Sequence, residues 1–122
     1  MIEVKDLKKS FDNEIEVLKG ISTNFETGKV NLIIGQSGSG KTVFLKSLLN
    51  VYQPTSGEIL FDGRDINKMS RDEKQTLRSE IGTVFQGSAL FDSMTVEENI
   101  TFPLDMFTNL TFREKKRRVF DV

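Results

Sequence analysis

The sequence predicts an α/β fold built around a phosphate-binding loop, and three observations carry that prediction. A short apolar run, Val30 to Ile34, leads directly into a glycine-rich stretch, Gly35 to Gly40. Helical spacing follows over Lys41 to Tyr52, with Phe44, Leu45, Leu48 and Leu49 on one side. Short apolar strands and capped helix starts then alternate along the rest of the chain, as in α/β domains.

At the front, Ile2, Val4 and Leu7 alternate with Glu3 and Lys5, which predicts an edge strand. A second strand is expected over Val17 to Phe25. Val30 to Ile34 is mostly apolar, as a buried parallel strand requires. Pro54 to Gly57 is turn chemistry, and Glu58 to Phe61 is a further short strand closed by Asp62-Gly63. Ile81 to Phe85 has the composition of another buried strand.

Three helix starts are legible from their caps. Ser70-x-x-Glu73, Thr95-x-x-Glu98 and Thr111-x-x-Glu114 each match a capping box. In such a box the hydroxyl accepts from an orphan backbone N–H while the carboxylate reaches back to the cap. The third helix is expected to open near Arg113, and no C-cap signal precedes Val122. The expected organisation is therefore a β and phosphate-loop core over 1–92, then the start of a helical subdomain over 93–122. On this reading the chain is the N-terminal portion of one domain.

Gly35-Gln36-Ser37-Gly38-Ser39-Gly40-Lys41-Thr42 fits G-x-x-x-x-G-K-[ST]. A polyphosphate packs several negative charges together. Glycines let successive backbone N–H groups converge on it, because no side chain intervenes. The helix that follows adds its own orphan N–H groups and the positive end of its dipole. Lys41 supplies a point charge for the β- and γ-phosphates, and the Thr42 hydroxyl is a hard ligand for Mg²⁺. The loop alone does not separate ATPases, GTPases and small-molecule kinases.

Composition narrows the rest. There is no cysteine and no histidine, which removes disulfides, thiolate metal sites and imidazole catalysis. A net charge of −1 gives no global field for nucleic acid, so no nucleic-acid partner is expected. The basic run Arg113 to Arg118 reads as a solvated helical face. The N-terminus lacks the apolar core of a signal peptide, and no apolar run approaches a membrane span. The expectation is a cytoplasmic protein, with docking on a membrane protein left open.

Beyond the loop, the chain resembles the nucleotide-binding subunits of ABC transporters along its whole length. The opening Leu7-Lys8-Lys9-Ser10-Phe11 and Val17-Leu18-Lys19-Gly20-Ile21-Ser22 looks like that family's first two strands. Pro54 to Ile59 is similar to its strand after the first helix, and Ile81-Gly82-Thr83-Val84-Phe85-Gln86 to its strand ending in the Q-loop glutamine. The resemblance implies a P-loop core with a mixed sheet and an antiparallel β piece at the front. A narrower resemblance, to the Mla-type phospholipid-transport ATPases, lies in Gly57 to Gly63 with Met69-Ser70, and in Phe85 to Leu104.

Several roles follow from the resemblance, residue by residue. ATP is implied at Gly35, Ser37, Gly38, Ser39, Gly40, Lys41 and Thr42, with Mg²⁺ at Thr42 and Gln86. Gln86 and Lys41 are the implied catalytic participants. Phe11 falls where the family places an aromatic that stacks on adenine, against the alternative of a core phenylalanine. Ala89, Leu90, Phe91 and Met94 fall where a permease subunit docks, against the alternative that they pack beneath the loop. The implied partners are that permease at the membrane, a second copy of the ATPase subunit, and an MCE-domain lipid-binding protein. The implied location is the cytoplasmic face of the inner membrane.

Part of the family's pattern does not occur in these 122 residues. No Leu-Ser-Gly-Gly-Gln signature is present, and no apolar strand ends in Asp-Glu, the Walker B and general-base position. The expectation is that this polypeptide binds nucleotide without hydrolysing it, while the intact parent is an ATPase. Two other readings stay open from the residues: a naturally short protein that binds nucleotide or permease without turnover, and a P-loop small-molecule kinase.

Overall fold

A computed structural model describes residues 1–12 and 15–122. It divides into two compact units, Met1–Gly82 and Thr83–Val122.

The first unit is a four-stranded sheet with helices on one face. Strands β1 (Ile2–Phe11), β2 (Ile15–Phe25), β3 (Ser56–Phe61) and β4 (Arg64–Asp65) lie in the order β2-β1-β3-β4, every neighbouring pair antiparallel. The expectation of an edge strand at the front is therefore corrected. β1 is central, because β3 returns to its free side after the first helix.

β1 is not a plain alternating strand. Val4 and Leu7 are both fully buried although three residues apart. Asp6 has φ +45°, and pairing slips beside it on both flanks, between Val4 and Leu7 and between Lys5 and Lys8. This bulge adds the one residue needed to return Leu7 to the face of Val4. Its neighbours must be small. A Cβ on Gly57 would come within 2.7 Å of Leu7 Cα and collide with the Asp6 carbonyl oxygen, and one on Gly20 would come within 2.7 Å of Asp6 Oδ1. Ser22 Oγ accepts the Asp6 N–H at 2.9 Å, so the displaced backbone keeps a partner.

The core is Val4, Leu7, Leu18, Ile59 and Phe61 from the sheet, covered by α1 (Lys41–Leu48), a 3₁₀ turn over Ile66–Lys68, and α2 (Arg71–Ser79). α1 buries Phe44, Ser47 and Leu48, while Leu45 is half-exposed. The helix ends earlier than its apolar spacing predicts, because Asn50 adopts φ +54°. Asparagine tolerates that left-handed position, and its carbonyl accepts from Arg78 Nη2 at 3.1 Å. α2 opens on the expected capping box at Ser70 and Glu73.

The apolar runs 30–34 and 81–85 are in no strand, so the parallel part of a mixed sheet is not formed among the described residues. Ile33 and Ile81 pack against the core, but Val30, Leu32, Ile34 and Val84 are almost wholly exposed. A central strand needs hydrogen-bonded neighbours and cover on both faces. The described residues supply neither beside these runs.

In the second unit, α3 (Val96–Phe107) and α4 (Phe112–Phe120) each begin with a complete capping box, at Thr95/Glu98 and Thr111/Glu114. Lys115 Nζ pairs with Asp105 Oδ1 at 2.8 Å and ties α4 to α3. α3 contains Pro103 beyond its first turn, where it removes one internal hydrogen bond.

Two predictions follow from this packing. Gly57→Ala adds a Cβ where φ is +93° and the β1 backbone is in the way. It should cost about 2–4 kcal/mol, measured as a lower urea midpoint of the full gene product. The second concerns acid. The Ser70 backbone and side chain hold Glu73 below its ordinary pKa of 4.5, and Thr111 does the same for Glu114. A depressed carboxylate stabilises above the unfolded value, and that contribution disappears as pH falls through the folded value. Protection of the Ser70 and Thr111 amides should therefore begin to fall below pH 4.5 and be lost as pH drops through the lower folded values, and Glu73→Gln should remove the pH dependence at Ser70 alone.

Candidate nucleotide-phosphate site

The loop between residue 34 and α1 is a closed turn of backbone. Ser39 N–H donates to the Gln36 carbonyl at 3.1 Å, and Phe44 N–H donates to the Gly40 carbonyl at 2.8 Å as the first bond of the helix. The N–H groups of Lys41, Thr42 and Val43 precede that first bond, and no side chain caps this end. The helix therefore presents uncommitted donors and its positive dipole end toward the loop. The three other helices of eight residues or more are all capped by Ser or Thr. Among the described residues α1 alone begins on a glycine, so a ligand rather than a side chain fits its N-terminus.

Gly40 sits in the left-handed region at φ +97°, and a Cβ there would lie 3.3 Å from the Val17 carbonyl oxygen and from the Val17 and Leu18 side chains. β2 thus backs the loop directly. Gly38 also has positive φ but opens to free space, and Gly35 lies against Ser39, whose Oγ a Cβ would meet at 2.6 Å. The cradle is narrow at its two ends and open in the middle.

Lys41 turns back over the loop. Its Nζ donates to the Gly35 carbonyl at 2.6 Å, to the Gln36 carbonyl at 2.7 Å and to Ser39 Oγ at 3.4 Å. The ammonium is thereby placed inside the loop, the position from which a point charge meets phosphate oxygens. Thr42, the next residue, is exposed, so its hydroxyl is accessible to a hydrated cation. Among the described residues no cluster of three acidic side chains forms a metal cage. A cleft of about 510 Å³ runs from the loop along β2, lined by Leu18, Ile21, Phe25, Ile33, Lys41 and Phe44.

The other sequence-predicted residues fall elsewhere. Phe11 ends β1, is 38% exposed, and meets Tyr52 edge-on at 5.3 Å between ring centroids. Lys9 Nζ lies 5.0 Å from the Phe11 centroid. Phe11 is thus a half-exposed platform braced by an aromatic from the turn after α1. Sequence reasoning missed Tyr52, because its place depends on where Asn50 ends the helix. Gln86 belongs to the second unit, exposed in a turn with Gly87. Leu90 and Phe91 are exposed in the segment that follows.

A glycine-lined turn, an uncapped helix N-terminus and an inward lysine define the phosphate-binding-loop class of proteins. Comparison with known proteins gives the family within that class. The family model described as "ABC transporter" matches residues 18–122. The probable ribonucleotide transport ATP-binding protein mkl of Mycobacterium leprae is 39% identical over 99% of this chain and 33% of its own length. The methionine import ATP-binding protein MetN of Staphylococcus haemolyticus is 35% identical over 100% of this chain and 37% of its own. Among solved structures, an ATP-binding cassette captured as a post-hydrolysis dimer with ADP and Pi superposes with a TM-score of 0.83, at 31% identity, over 99% of this chain and 55% of that one. The chain belongs to the ABC transporter family and carries part of its ATP-binding domain. It spans about a third of the length of these two relatives.

The loop geometry makes a graded prediction. Gly40→Ala, which is both strained and obstructed, should weaken ATP binding at least tenfold. Gly38→Ala meets strain without obstruction and should weaken it about fivefold. Equilibrium titration with a fluorescent ATP analogue and Mg²⁺ would rank the two, and equal losses would contradict the narrow-ended cradle.

Proposed function

We propose that this chain is the nucleotide-binding front of the ATP-binding subunit of an ABC transporter. The observation that carries the reading is the Lys41 ammonium fixed inside a loop whose helix begins without a side-chain cap. Lys41 and the loop amides hold the β- and γ-phosphates, Thr42 ligates Mg²⁺, and Phe11 stacks on the base. Gln86 approaches the metal or the attacking water and reports the γ-phosphate to the rest of the transporter. Positioning and charge stabilisation supply most of the rate in phosphoryl transfer, so these roles belong to catalysis as well as to binding.

ATP binding closes two copies of the subunit, and hydrolysis reopens them. A related cassette captured as a dimer in a post-hydrolysis state with ADP and Pi supports the pairing of two copies. The subunit works on the cytoplasmic face of a bacterial inner membrane, beneath a permease that docks on Ala89, Leu90, Phe91 and Met94. Among the described residues no helix is long and apolar enough to cross a membrane. On this reading cargo passes through the permease. The names of the relatives differ in cargo, one ribonucleotide and one methionine. Phospholipid cargo and an MCE-domain partner rest on the resemblance of Gly57 to Gly63 and Phe85 to Leu104 to the Mla-type ATPases.

These 122 residues hold binding groups without the Asp-Glu pair that would orient the attacking water. The polypeptide should bind ATP·Mg²⁺, with Lys41→Ala weakening it at least tenfold, and should release phosphate no faster than Lys41→Ala does. The full gene product should hydrolyse ATP and lose that activity on the same substitution. Transfer of phosphate to a metabolite instead of water would overturn the transporter reading in favour of a kinase.

A further inference from the structure

The segment between Gln86 and α3 has no regular secondary structure, yet its backbone is closely held from one side chain. Asn99 Oδ1 accepts the Phe91 N–H at 2.9 Å. Asn99 Nδ2 faces the Phe91, Met94 and Thr95 carbonyl oxygens at 3.2, 3.3 and 2.9 Å. Oδ1 takes the Phe91 N–H while the two Nδ2 hydrogens are shared among three carbonyl oxygens, so one amide meets both backbone groups of Phe91. The Phe91 ring also stacks, tilted, on Phe102 of α3, with centroids 4.8 Å apart.

These contacts exceed what the helix itself requires. The start of α3 is already satisfied by the Thr95/Glu98 box. Asn99 directs its bonds to the loop, and only an amide offers an acceptor and two donors at that reach. Leu90 and Phe91 remain 68% and 45% exposed at the held segment.

We propose that Asn99 is a positioning residue, fastening the Phe91–Thr95 loop to the first turns of α3 so that Leu90 and Phe91 are presented in a fixed arrangement to the permease. The inference rests on the reading that the permease docks here. A loop fixed in advance loses no further freedom on docking, which strengthens the association.

The test uses the full gene product, inside-out vesicles of the native membrane stripped of peripheral protein, and protein-free liposomes of the same lipid as control. Asn99→Leu should speed exchange of the Phe91 amide at least tenfold and weaken vesicle binding about tenfold, with ATP affinity unchanged. Asn99→Asp places a carboxylate against three carbonyl oxygens. Its vesicle binding, relative to the unsubstituted protein, should recover as pH falls and the carboxyl becomes a donor. That recovery distinguishes positioning from a folding defect, and it decides the matter if Asn99→Leu loses ATP binding through misfolding. Leu90→Asp examines the docking reading separately. If Leu90→Asp binds vesicles normally, the permease reading fails. If it loses binding while Asn99→Leu keeps both binding and Phe91 protection, or if Asn99→Asp shows no recovery, the role of Asn99 is overturned and the docking site stands.

Discussion

The fold turns on the bulge at Asp6. A central strand must place Val4 and Leu7 on the same face, and a two-residue period cannot do so across three positions. One left-handed residue restores the phase, and glycines on the two flanking strands give the displaced backbone room. With Leu7 outside the core, the sheet face that supports α1 would lose its centre. The phosphate loop would then lose its backing, because Gly40 lies directly on Val17 and Leu18 of β2. A kink in the first strand and a binding loop thirty residues later are therefore one mechanical unit.

What was legible in the sequence was local. Each capping box involves residues three apart, and Ser70/Glu73, Thr95/Glu98 and Thr111/Glu114 all form as their spacing predicts. The phosphate loop is equally local, since glycines, lysine and helix start sit within eight consecutive positions. Pairing between distant segments was less legible. β1 reads as an edge strand until β3 is seen to return beside it. Residues 30–34 and 81–85 have strand composition, but composition does not supply the neighbour that makes a strand. Tyr52 and Asn99 escaped notice for a related reason. An aromatic after a helix and an asparagine within one carry no motif, and their partners are set by where the chain turns.

The two units differ in how they are held. Met1–Gly82 has a buried apolar core drawn from three strands, two helices and the 3₁₀ turn. Among the described residues of Thr83–Val122, no side chain of α3 or α4 is buried, and order comes from caps, the Lys115–Asp105 pair and the Asn99 amide. Hydrogen bonds at an exposed surface contribute little net stability each, so this unit rests on a few side-chain ties, with Asn99 holding the loop, and not on a buried core.

The turned-back lysine has one more consequence. A lysine side chain ordinarily has four freely rotating bonds, and fixing them on a ligand costs up to about 2 kcal/mol. Here three oxygens of the loop itself already restrain Lys41. Most of that ordering is therefore built into the folded chain and is not charged to the affinity for phosphate. Where phosphate binds as proposed, the ammonium exchanges one set of oxygens for another, and the strength of the site depends on the difference between carbonyl and phosphate oxygens as partners for the same cation.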